Sequence, residues 1–349
     1  MIDDNIKMNS EVDYKQKLKD FKAHILPASS VLIVAHDYPD PDCIASAYGL
    51  TKLFASWKIK NSIITFGGFI GRAENRALIR YLDIEMIPFP LIDLKEFDRI
   101  VMVDCFPGSG NVSLPENATV DAVLDHHMSE PEGDVSYYYD IRKDLGATST
   151  LVAQYLDKAK VHFSREISTA LFYGIKTDTS GLGRDAHPED EECYVKLFCT
   201  VNHTKLAHIE NPERDIEFFK TIHRGSEAAI EFNHVGYTHL GEVTAPDYIA
   251  EMADFFHSLE RMEWMICSGI FKKSIFFSLR SKNVSGAGKK AVTIAKKLGG
   301  NAGGHGRLAA GRIPLNGVSA EEQLSRFIAT FKKVFRIQNS DGVPILERE

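Results

Sequence analysis

The sequence predicts an α/β protein: a doubly wound N-terminal domain with a parallel sheet, a helical linker, and a smaller α/β C-terminal domain with a mixed sheet. Short, continuous apolar runs alternate with helical patterns in the first half, as expected for parallel strands covered on both faces. At ~150 residues per domain, a chain of 349 residues holds about two domains. We expect the domains at 1–190 and 229–340, with the linker at 191–228.

The composition is that of a soluble globular protein, with 44% hydrophobic and 26% charged residues. The five cysteines show no C-x-x-C spacing and are odd in number, which favours a reducing compartment over a disulfide scaffold. The first twenty residues lack the apolar core of a signal peptide, and no window reaches eighteen apolar residues. We therefore expect a cytoplasmic protein without a membrane partner.

The N-terminal domain begins with a predicted helix and a strand that leads into an acidic loop. Residues 11–25 have apolar side chains at helical spacing, and 31–35 form an apolar run typical of a buried strand. The strand ends at His36, and two prolines in residues 37–42 favour a loop. An apolar helical period returns at 44–57. In an open α/β sheet such a loop lies at the carboxyl edge, where ligands bind.

Apolar runs at 62–66, 100–103 and 122–124 predict three further strands of the same sheet. Ligand-type side chains follow three of the four strands directly, and one more acid ends a helical stretch: His36 with Asp40 and Asp42, then Asp104, then Asp125-His126-His127, then Asp178. Each of these acids alone is typical of an exposed loop. Because parallel strands bring their carboxyl ends to one edge of a sheet, we expect the whole set to lie close together.

Carboxylates that lie so close cannot all stay ionised without a counter-charge, which two divalent cations would supply. A mixture of Asp oxygen and His nitrogen suits Mn²⁺ or another borderline transition ion. Paired-metal clefts typically activate a water molecule and clamp the oxygens of a phosphoryl group. The residues themselves therefore predict a metal-dependent site for phosphoryl chemistry.

The C-terminal half contains a basic segment inside an acidic protein. The net charge is -7, yet residues 261–312 hold eleven Lys or Arg against one acid, Glu263. This asymmetry predicts a docking surface for an anionic ligand, although the lysines at 289–297 also fit a solvated helix face. Apolar runs at 268–279 predict one or two strands, and 291–298 predict a helix. The tail beyond Gln338 has no periodicity and is expected to be loose.

The ordered set His36-x3-Asp40-x-Asp42, Asp104, Asp125-His126-His127 and Asp178 resembles the motifs of the DHH phosphoesterase superfamily. Residues 299–311 resemble the G-G-H-x-x-A-A-G signature of the DHH-associated domain. The resemblance spans nearly the whole chain. It implies two lobes with substrate held between them, and two divalent cations, Mn²⁺ in the first place with Mg²⁺ or Co²⁺ as alternatives.

The resemblance also implies roles for individual residues. It assigns one cation to His36, Asp40 and Asp104, and the other to Asp42, Asp104, His126 and Asp178, with Asp104 bridging. His127 would face the substrate phosphate or the leaving group, and Asp125 would orient the neighbouring imidazoles. In the second lobe the positions that match the family's phosphate- and nucleotide-holding residues are Arg280, Ser281, Gly303, Gly304 and His305.

Two departures from the family pattern stand out. Cys43 occupies a position where the family usually has a small residue such as Ala, and a thiol there could oxidise or bind soft metals. Asn301-Ala302 interrupts the glycine signature. The string Gly286-Ala287-Gly288-Lys289-Lys290 superficially resembles a P-loop, but it lacks the leading glycine and the Ser or Thr after the first lysine.

The expected function is a two-metal phosphodiesterase or phosphatase that hydrolyses short oligoribonucleotides or small nucleotide phosphates such as 3′-phosphoadenosine 5′-phosphate. Long-strand exonucleases of the superfamily usually carry further domains, for which this chain leaves no length, so we expect short single-stranded RNA as a partner. A homodimer is compatible with this expectation. The alternatives are a cyclic or linear dinucleotide phosphodiesterase, an exopolyphosphatase- or pyrophosphatase-like phosphohydrolase, and a nucleotide-binding sensor without activity.

Overall fold

The computed structural model describes residues 12–127, 131, 134–282, 286–338 and 341–347. The chain divides into two compact units, Met1–Pro212 and Glu213–Glu349. Each unit has its own sheet and its own apolar core. Among the described residues, every helix is too short or too polar to cross a lipid bilayer.

The first unit is built on a six-stranded sheet in the order β3-β2-β1-β4-β5-β6, and every neighbouring pair is parallel. Its strands are β1 (Ser30–Val34), β2 (Asn61–Phe66), β3 (Met86–Pro88), β4 (Arg99–Val103), β5 (Ala122–Asp125) and β6 (Tyr138–Ile141). The strand order reverses between β1 and β4, and in open α/β sheets ligands bind at the carboxyl ends of the strands at this point. The doubly wound parallel sheet predicted from the sequence is confirmed.

Seven α-helices of the described residues accompany this sheet: α1 (Tyr14–Ile25), α2 (Pro41–Ser56), α3 (Ala73–Leu82), α4 (Thr148–Lys158), α5 (Arg165–Asp178), α6 (Pro188–Phe198) and α7 (His203–Glu210). Helix α2 begins with Asp40 as its N-cap and Pro41 in its first turn, which is favourable at both positions. Most of its side chains are buried, because it packs against α5 and α4. Gly174 of α5 allows α4 to approach α5 closely, since a Cβ at this position would lie 2.3 Å from Ser149 Oγ of α4. The acidic loop is thus anchored to the most deeply buried helix of the unit.

The second unit contains a seven-stranded sheet in the order β11-β12-β10-β9-β8-β7-β13. Its strands are β7 (Ile230–Phe232), β8 (Val235–Glu242), β9 (Trp264–Phe271), β10 (Ser274–Ser281), β11 (Asn301–His305), β12 (Leu308–Pro314) and β13 (Val343–Pro344). Among the described strands of this unit, only β8 and β9 pair in parallel, so the mixed sheet predicted for the C-terminal domain is confirmed. Phe277, Phe327 and Phe331 are fully buried in its core, where aromatic side chains contribute most to burial.

The helices of the second unit are α8 (Ile216–Glu227), α9 (Asp247–His257), α10 (Ala287–Lys297) and α11 (Ala320–Val334). At residues 341–347 the structure differs from the expectation of a loose tail. Val343 and Pro344 pair with Glu231 and Ile230 of β7, and the N–H of Ile345 donates to the carbonyl of Ala229 at 2.8 Å. Two residues of edge pairing give no detectable period in the sequence, which explains why the strand was not predicted.

Candidate metal centre

The ends of β1, β4 and β5 bring the predicted ligand residues of the first unit to one place. His36 comes two residues after β1, Asp104 directly follows β4, and Asp125 is the last residue of β5. The backbone of Asp104 is left-handed, with φ +58°, and its N–H donates to the Leu124 carbonyl at 2.8 Å. Short acidic side chains are among the few that tolerate this conformation. The turn at Asp104 therefore ends β4 after Val103.

Six residues that the sequence predicts as metal ligands form what we call the Asp104 cluster: His36, Asp40, Asp42, Asp104, His126 and Asp178. Asp104 lies between the two imidazoles, with Oδ2 3.7 Å from His36 Nε2 and Oδ1 3.7 Å from His126 Nε2. Asp40 Oδ2 lies 3.7 Å from His36 Nε2. On the other side, His126 Nε2 lies 3.2 Å from Asp178 Oδ2 and 4.0 Å from Asp42 Oδ2. The structure therefore brings all six residues together.

The N-terminus of α4 holds the buried carboxylates of the cluster. Both oxygens of Asp42 accept backbone hydrogen bonds, from the N–H of Thr148 at 2.7 Å and of Ser149 at 2.8 Å. The Thr148 hydroxyl donates to Asp104 Oδ1 at 2.7 Å. Helix α4 has no side-chain cap from its own N-cap residue, so Asp42 satisfies these two N–H groups instead. Sequence reasoning missed Thr148 and Ser149. The Thr-Ser pair before an apolar helical run indicates that a helix starts there. It does not indicate that the helix start contacts Asp42 and Asp104.

Asp125 orients both histidines that follow it. Its Oδ1 accepts from the N–H of His126 at 2.8 Å, the N–H of His127 at 3.1 Å and the His127 Nδ1 at 2.7 Å. His126 Nδ1 lies 3.2 Å from the Leu145 carbonyl, so Nδ1 carries the proton in the neutral ring and Nε2 has the lone pair. The His127 side chain is 38% exposed, against 13% for His126. Asp125 thus holds the His127 ring and the backbone of both histidines, whereas the His126 ring is held by the Leu145 carbonyl.

Burial and mutual repulsion change the protonation of these groups. Burial, and then the charge of Asp178, raise the pKa of Asp42 to about 7. Burial and the charge of Asp42 raise the pKa of Asp104 to about 7. Burial alone would lower the pKa of His126, but its contact with Asp178 and the charges of Asp104 and Asp42 raise it well above its usual range. Without a cation, the cluster therefore keeps protons that would otherwise be lost at neutral pH.

These residues fit divalent cations. Within the described ranges, His126 Nε2 is buried and makes no well-formed hydrogen bond, although its nearest carboxylate oxygen, Asp178 Oδ2, lies 3.2 Å away and buried polar atoms are nearly always paired. Ligand atoms of Asp42, His126 and Asp178 lie within 4.8 Å of one another, as do those of Asp104, His126 and His127. Carboxylate oxygen and imidazole nitrogen suit Mn²⁺ and related borderline ions. The residues that would hold the cations are those of the Asp104 cluster.

Cys43 adds a sulfur atom to the same place. Ligand atoms of His36, Cys43 and Asp104 also lie within 4.8 Å of one another. Cys43 is fully buried, whereas the Asp40 side chain is 46% exposed. Burial raises the pKa of the Cys43 thiol to about 12. The ligand atoms closest together beside His36 are therefore those of Cys43 and Asp104, whereas Asp40 lies closer to solvent.

A second acidic group in this unit has a structural explanation. Asp144, His187 and Glu189 also have ligand atoms within 4.8 Å of one another. Arg142 pairs with both acids, at 2.6 Å from Asp144 Oδ2 and 2.8 Å from Glu189 Oε1. His187 caps helix α6 by accepting the N–H of Glu189. The arginine supplies the positive charge here, so this group is an ion-pair network.

The predicted substrate residues of the second unit lie on β10 and β11. The Arg280 side chain is only 8% exposed; it pairs with Asp254, and its Nη1 donates to Ser278 Oγ at 2.7 Å. The N–H of Ser281, the last residue of β10, donates to the Arg307 carbonyl at 3.0 Å. The sequence did not indicate Asp254 as the partner that fixes the guanidinium, since the two residues lie 26 positions apart.

The glycines of β11 differ in the room around them. At Gly304, with φ +142°, a Cβ would lie 2.3 Å from the Leu308 carbonyl oxygen, so only glycine fits. At Gly303 a Cβ would meet nothing within 4 Å. His305 ends the strand, and its side chain lies outside the described residues. Gly303 therefore leaves the backbone of this edge strand open to a ligand.

Comparison with known families and proteins follows the same two-part division. The DHH family, N-terminal domain, matches residues 30–175, and the DHHA1 domain matches residues 233–336. An uncharacterized protein of Methanocaldococcus jannaschii is 33% identical over 91% of this chain, which spans 65% of that protein's length. A Thermus thermophilus protein named bifunctional oligoribonuclease and PAP phosphatase is 26% identical, over 93% of this chain and 96% of its own length.

Among solved structures, an exopolyphosphatase-related protein from Bacteroides fragilis has the same fold. The superposition covers 93% of this chain and 98% of that chain, with a TM-score of 0.71 and 16% sequence identity. At this identity the likeness concerns the fold alone. It agrees with the arrangement of a parallel-sheet unit followed by a mixed-sheet unit.

Thr148→Val tests the support that α4 gives to the cluster. The change removes the hydroxyl that donates to Asp104 and keeps the backbone N–H that donates to Asp42. We expect the affinity for Mn²⁺, measured by calorimetric titration, to fall by about 10- to 100-fold, as is typical when a ligand loses its orienting partner. Thr148→Ser keeps the hydroxyl and should bind Mn²⁺ like the unchanged protein. Equal affinities in both variants would show that the hydroxyl does not position Asp104.

The raised pKa values predict how the stability of the metal-free protein depends on pH. The folded protein holds protons on Asp42 and Asp104 up to about pH 7, whereas unfolded carboxyl groups lose them near pH 4. Folding therefore takes up protons in this window, and stability falls as the pH rises through it. Thermal unfolding in EDTA should shift to lower temperature between pH 5 and pH 8, and Mn²⁺ should restore the midpoint at pH 8.

Asp178→Asn is the control for this pH dependence. It removes the charge that repels Asp42, so the loss of stability between pH 5 and pH 8 should become smaller. A slope that is unchanged in Asp178→Asn would place the origin of the pH dependence outside the cluster.

Proposed function

Because the chain belongs to the DHH phosphoesterase superfamily and carries both the DHH and the DHHA1 domain, we propose that it is a metal-dependent phosphohydrolase of short oligoribonucleotides and small nucleotide phosphates. The observation that carries this proposal is the position of Asp104, with one carboxylate oxygen toward each of the two buried imidazoles. A residue placed in this way suits a bridging ligand between two cations. Two cations, when bound, supply Lewis acidity and an activated water for attack on phosphorus.

The residues of the chain itself complete the chemistry. Burial opposes protonation of His127, but its hydrogen bond with Asp125 raises the pKa of the imidazole to about 9. In the metal-free site His127 is therefore protonated at neutral pH, on the more exposed side of the cluster. Such a group can bind a phosphate oxygen and can give its Nε2 proton to a leaving alkoxide. Asp125 keeps the ring in the orientation that this requires.

The nucleotide preference rests on the second unit and on the Thermus thermophilus relative. That relative is named as an oligoribonuclease and phosphatase, and this chain matches it over almost its full length. The G-G-H signature at 303–305, in place of a lysine-rich motif, favours a nucleotide substrate over pyrophosphate. The basic segment 261–312 provides positive charge for the remaining phosphates. We propose Arg280, Ser281, Gly303, Gly304 and His305 as the substrate residues and Mn²⁺ as the preferred cation.

A substrate panel tests the proposed activity. The purified chain with Mn²⁺ should release mononucleotides from labelled di- to pentaribonucleotides or phosphate from adenosine 3′,5′-bisphosphate. Cyclic dinucleotides, pyrophosphate and polyphosphate are the comparison substrates. Asp104→Asn removes a ligand of both cations and should lower kcat by at least about a hundredfold, because the two cations provide most of the charge stabilisation.

The matched control for this experiment is Asp157→Asn, near the C-terminal end of α4, whose side chain is 39% exposed and pairs with Lys196. This variant makes the same Asp-to-Asn change on α4, the helix whose N-terminus contacts the cluster, and should keep full activity. The proposed function fails if no nucleotide substrate is cleaved, or if Asp104→Asn remains as active as Asp157→Asn. Cleavage of pyrophosphate or polyphosphate alone would replace the nucleotide preference with the phosphohydrolase alternative.

Arg280→Ala tests the proposed role of the second unit. We expect KM for the preferred nucleotide to rise by about tenfold or more, because a charge-assisted contact with phosphate is lost. Mn²⁺ affinity should stay unchanged. The comparison variant is Arg326→Ala on α11, where the side chain is 54% exposed and pairs with Glu322. A fall in Mn²⁺ affinity, or equal KM values in both variants, would contradict the assignment of substrate binding to Arg280.

A further inference from the structure

We propose that Cys43 is a sulfur ligand of the cation bound at His36 and Asp104, and that this position therefore selects Zn²⁺ or Co²⁺ over Mn²⁺. The inference rests on the metal centre of the proposed function and adds a residue to it. The other position, at Asp42, His126 and Asp178, offers oxygen and nitrogen donors only. That position keeps the Mn²⁺ of the proposed function, so the inference changes the preferred cation at the His36 and Asp104 position only.

The first support is the position of the thiol. Helix α2 begins at Pro41, and its N-cap Asp40 accepts the N–H of Cys43 at 3.0 Å, which fixes the cysteine in the first turn. Ligand atoms of His36, Cys43 and Asp104 lie within 4.8 Å of one another. Cys43 is 0% exposed and Asp104 2%. The three atoms form a buried group of sulfur, nitrogen and oxygen, which is a donor set that Zn²⁺ accepts.

His36 has a ring nitrogen available for this group. Its Nδ1 lies 2.9 Å from the Asp37 carbonyl oxygen and so donates there when the ring is neutral. The lone pair is then on Nε2, the atom that lies 3.7 Å from Asp104 Oδ2. A backbone carbonyl bound to the far ring nitrogen is the usual way in which a protein fixes a metal-binding imidazole.

A second observation comes from the other side of the same carboxylate. His126 Nε2 lies 3.7 Å from the other oxygen of Asp104 and 3.2 Å from Asp178 Oδ2, is shielded from solvent, and makes no well-formed hydrogen bond in the described part of the chain. A buried nitrogen in this state costs free energy unless something else satisfies it. Cations on both sides of Asp104 satisfy His126 and give the sulfur of Cys43 a function.

Cys105 provides an internal comparison for the alternative in which Cys43 only fills space. Both sulfurs lie near the Val103 carbonyl oxygen, Cys43 Sγ at 3.6 Å and Cys105 Sγ at 3.4 Å, and both residues are buried. Only Cys43 belongs to a group of three ligand atoms among the described residues. The two thiols thus share burial and a carbonyl neighbour, pack in different apolar clusters, and differ in their access to the Asp104 cluster.

Coordination is balanced by the loss of one proton. The S–H bond of Cys43 breaks, the proton goes to solvent, and the sulfur electron pair forms the bond to the cation. Thiolate ligands favour Zn²⁺ and Co²⁺, and nitrogen and sulfur donors bind both ions more tightly than they bind Mn²⁺. No oxidant or reductant takes part.

Cobalt absorption tests the inference on the full chain without measuring activity. The metal-free protein is titrated with Co²⁺; visible bands report bound Co²⁺, and a near-ultraviolet charge-transfer band reports a sulfur ligand. We expect the visible bands and the near-ultraviolet band in the unchanged protein and also in Cys105→Ala. Cys43→Ala should keep the visible bands and lose the near-ultraviolet band. Competition between Zn²⁺ and Mn²⁺ should show that Cys43→Ala reduces the preference for Zn²⁺ by about tenfold or more.

The outcomes separate this inference from the proposed function. Visible bands without a near-ultraviolet band in the unchanged protein would overturn the role of Cys43 and leave the metal centre intact. A near-ultraviolet band that persists in Cys43→Ala and disappears in Cys105→Ala would also overturn it. Absence of any Co²⁺ or Mn²⁺ binding would remove the metal centre, and the proposed function with it. Because the first measurement uses the unchanged chain, it does not depend on the folding of a variant.

Discussion

The first unit depends on the burial of two carboxylates, Asp42 and Asp104, next to two imidazoles. Removing an isolated carboxylate from water costs far more free energy than a typical protein gains by folding, so such groups occur only with compensation. Here the compensation comes from backbone N–H groups for Asp42, from the Thr148 hydroxyl for Asp104, and from protons or cations for the remainder. The N-terminus of α4 thus supports both buried acids, although Asp42 lies on α2 and Asp104 follows β4.

The parallel sheet is what makes this arrangement accessible to one chain. β1, β4 and β5 are neighbours in the sheet but lie far apart in sequence, and each delivers its ligand residue at its carboxyl end. Helix α4 then directs its N-terminus, with a partial positive charge, at Asp42. Such a site needs no long loops, because strand ends and one helix start fix the backbone of most of its residues. This rigidity allows Asp104 to keep each carboxylate oxygen toward a different imidazole.

The fold class and the membership of the cluster were predictable from the sequence, because both leave local signals. Apolar runs mark buried strands, and the residue after each run is placed at the sheet edge by topology alone. Contacts between distant segments leave no such signal. Thr148 lies 106 positions from Asp42, and the two-residue strand β13 pairs with β7 without any period. Arg280 was predicted as a phosphate residue, but its pairing with Asp254 depends on tertiary packing.

The four carboxylates of the cluster differ in how deeply they are buried, and this difference separates two roles. Asp42 and Asp104 have side chains at most 1% exposed, whereas Asp178 is 26% and Asp40 46% exposed. The inner carboxylates are fixed by α4 and set the distance between the two imidazoles. The outer ones, together with the half-exposed His127, lie on the solvent-exposed side of the cluster. Because Cys43 belongs to the inner side, the sulfur ligand that we propose there would act on the choice of cation without occupying the exposed side. A protein can then change its metal preference through one inner side chain and its substrate through the outer ones.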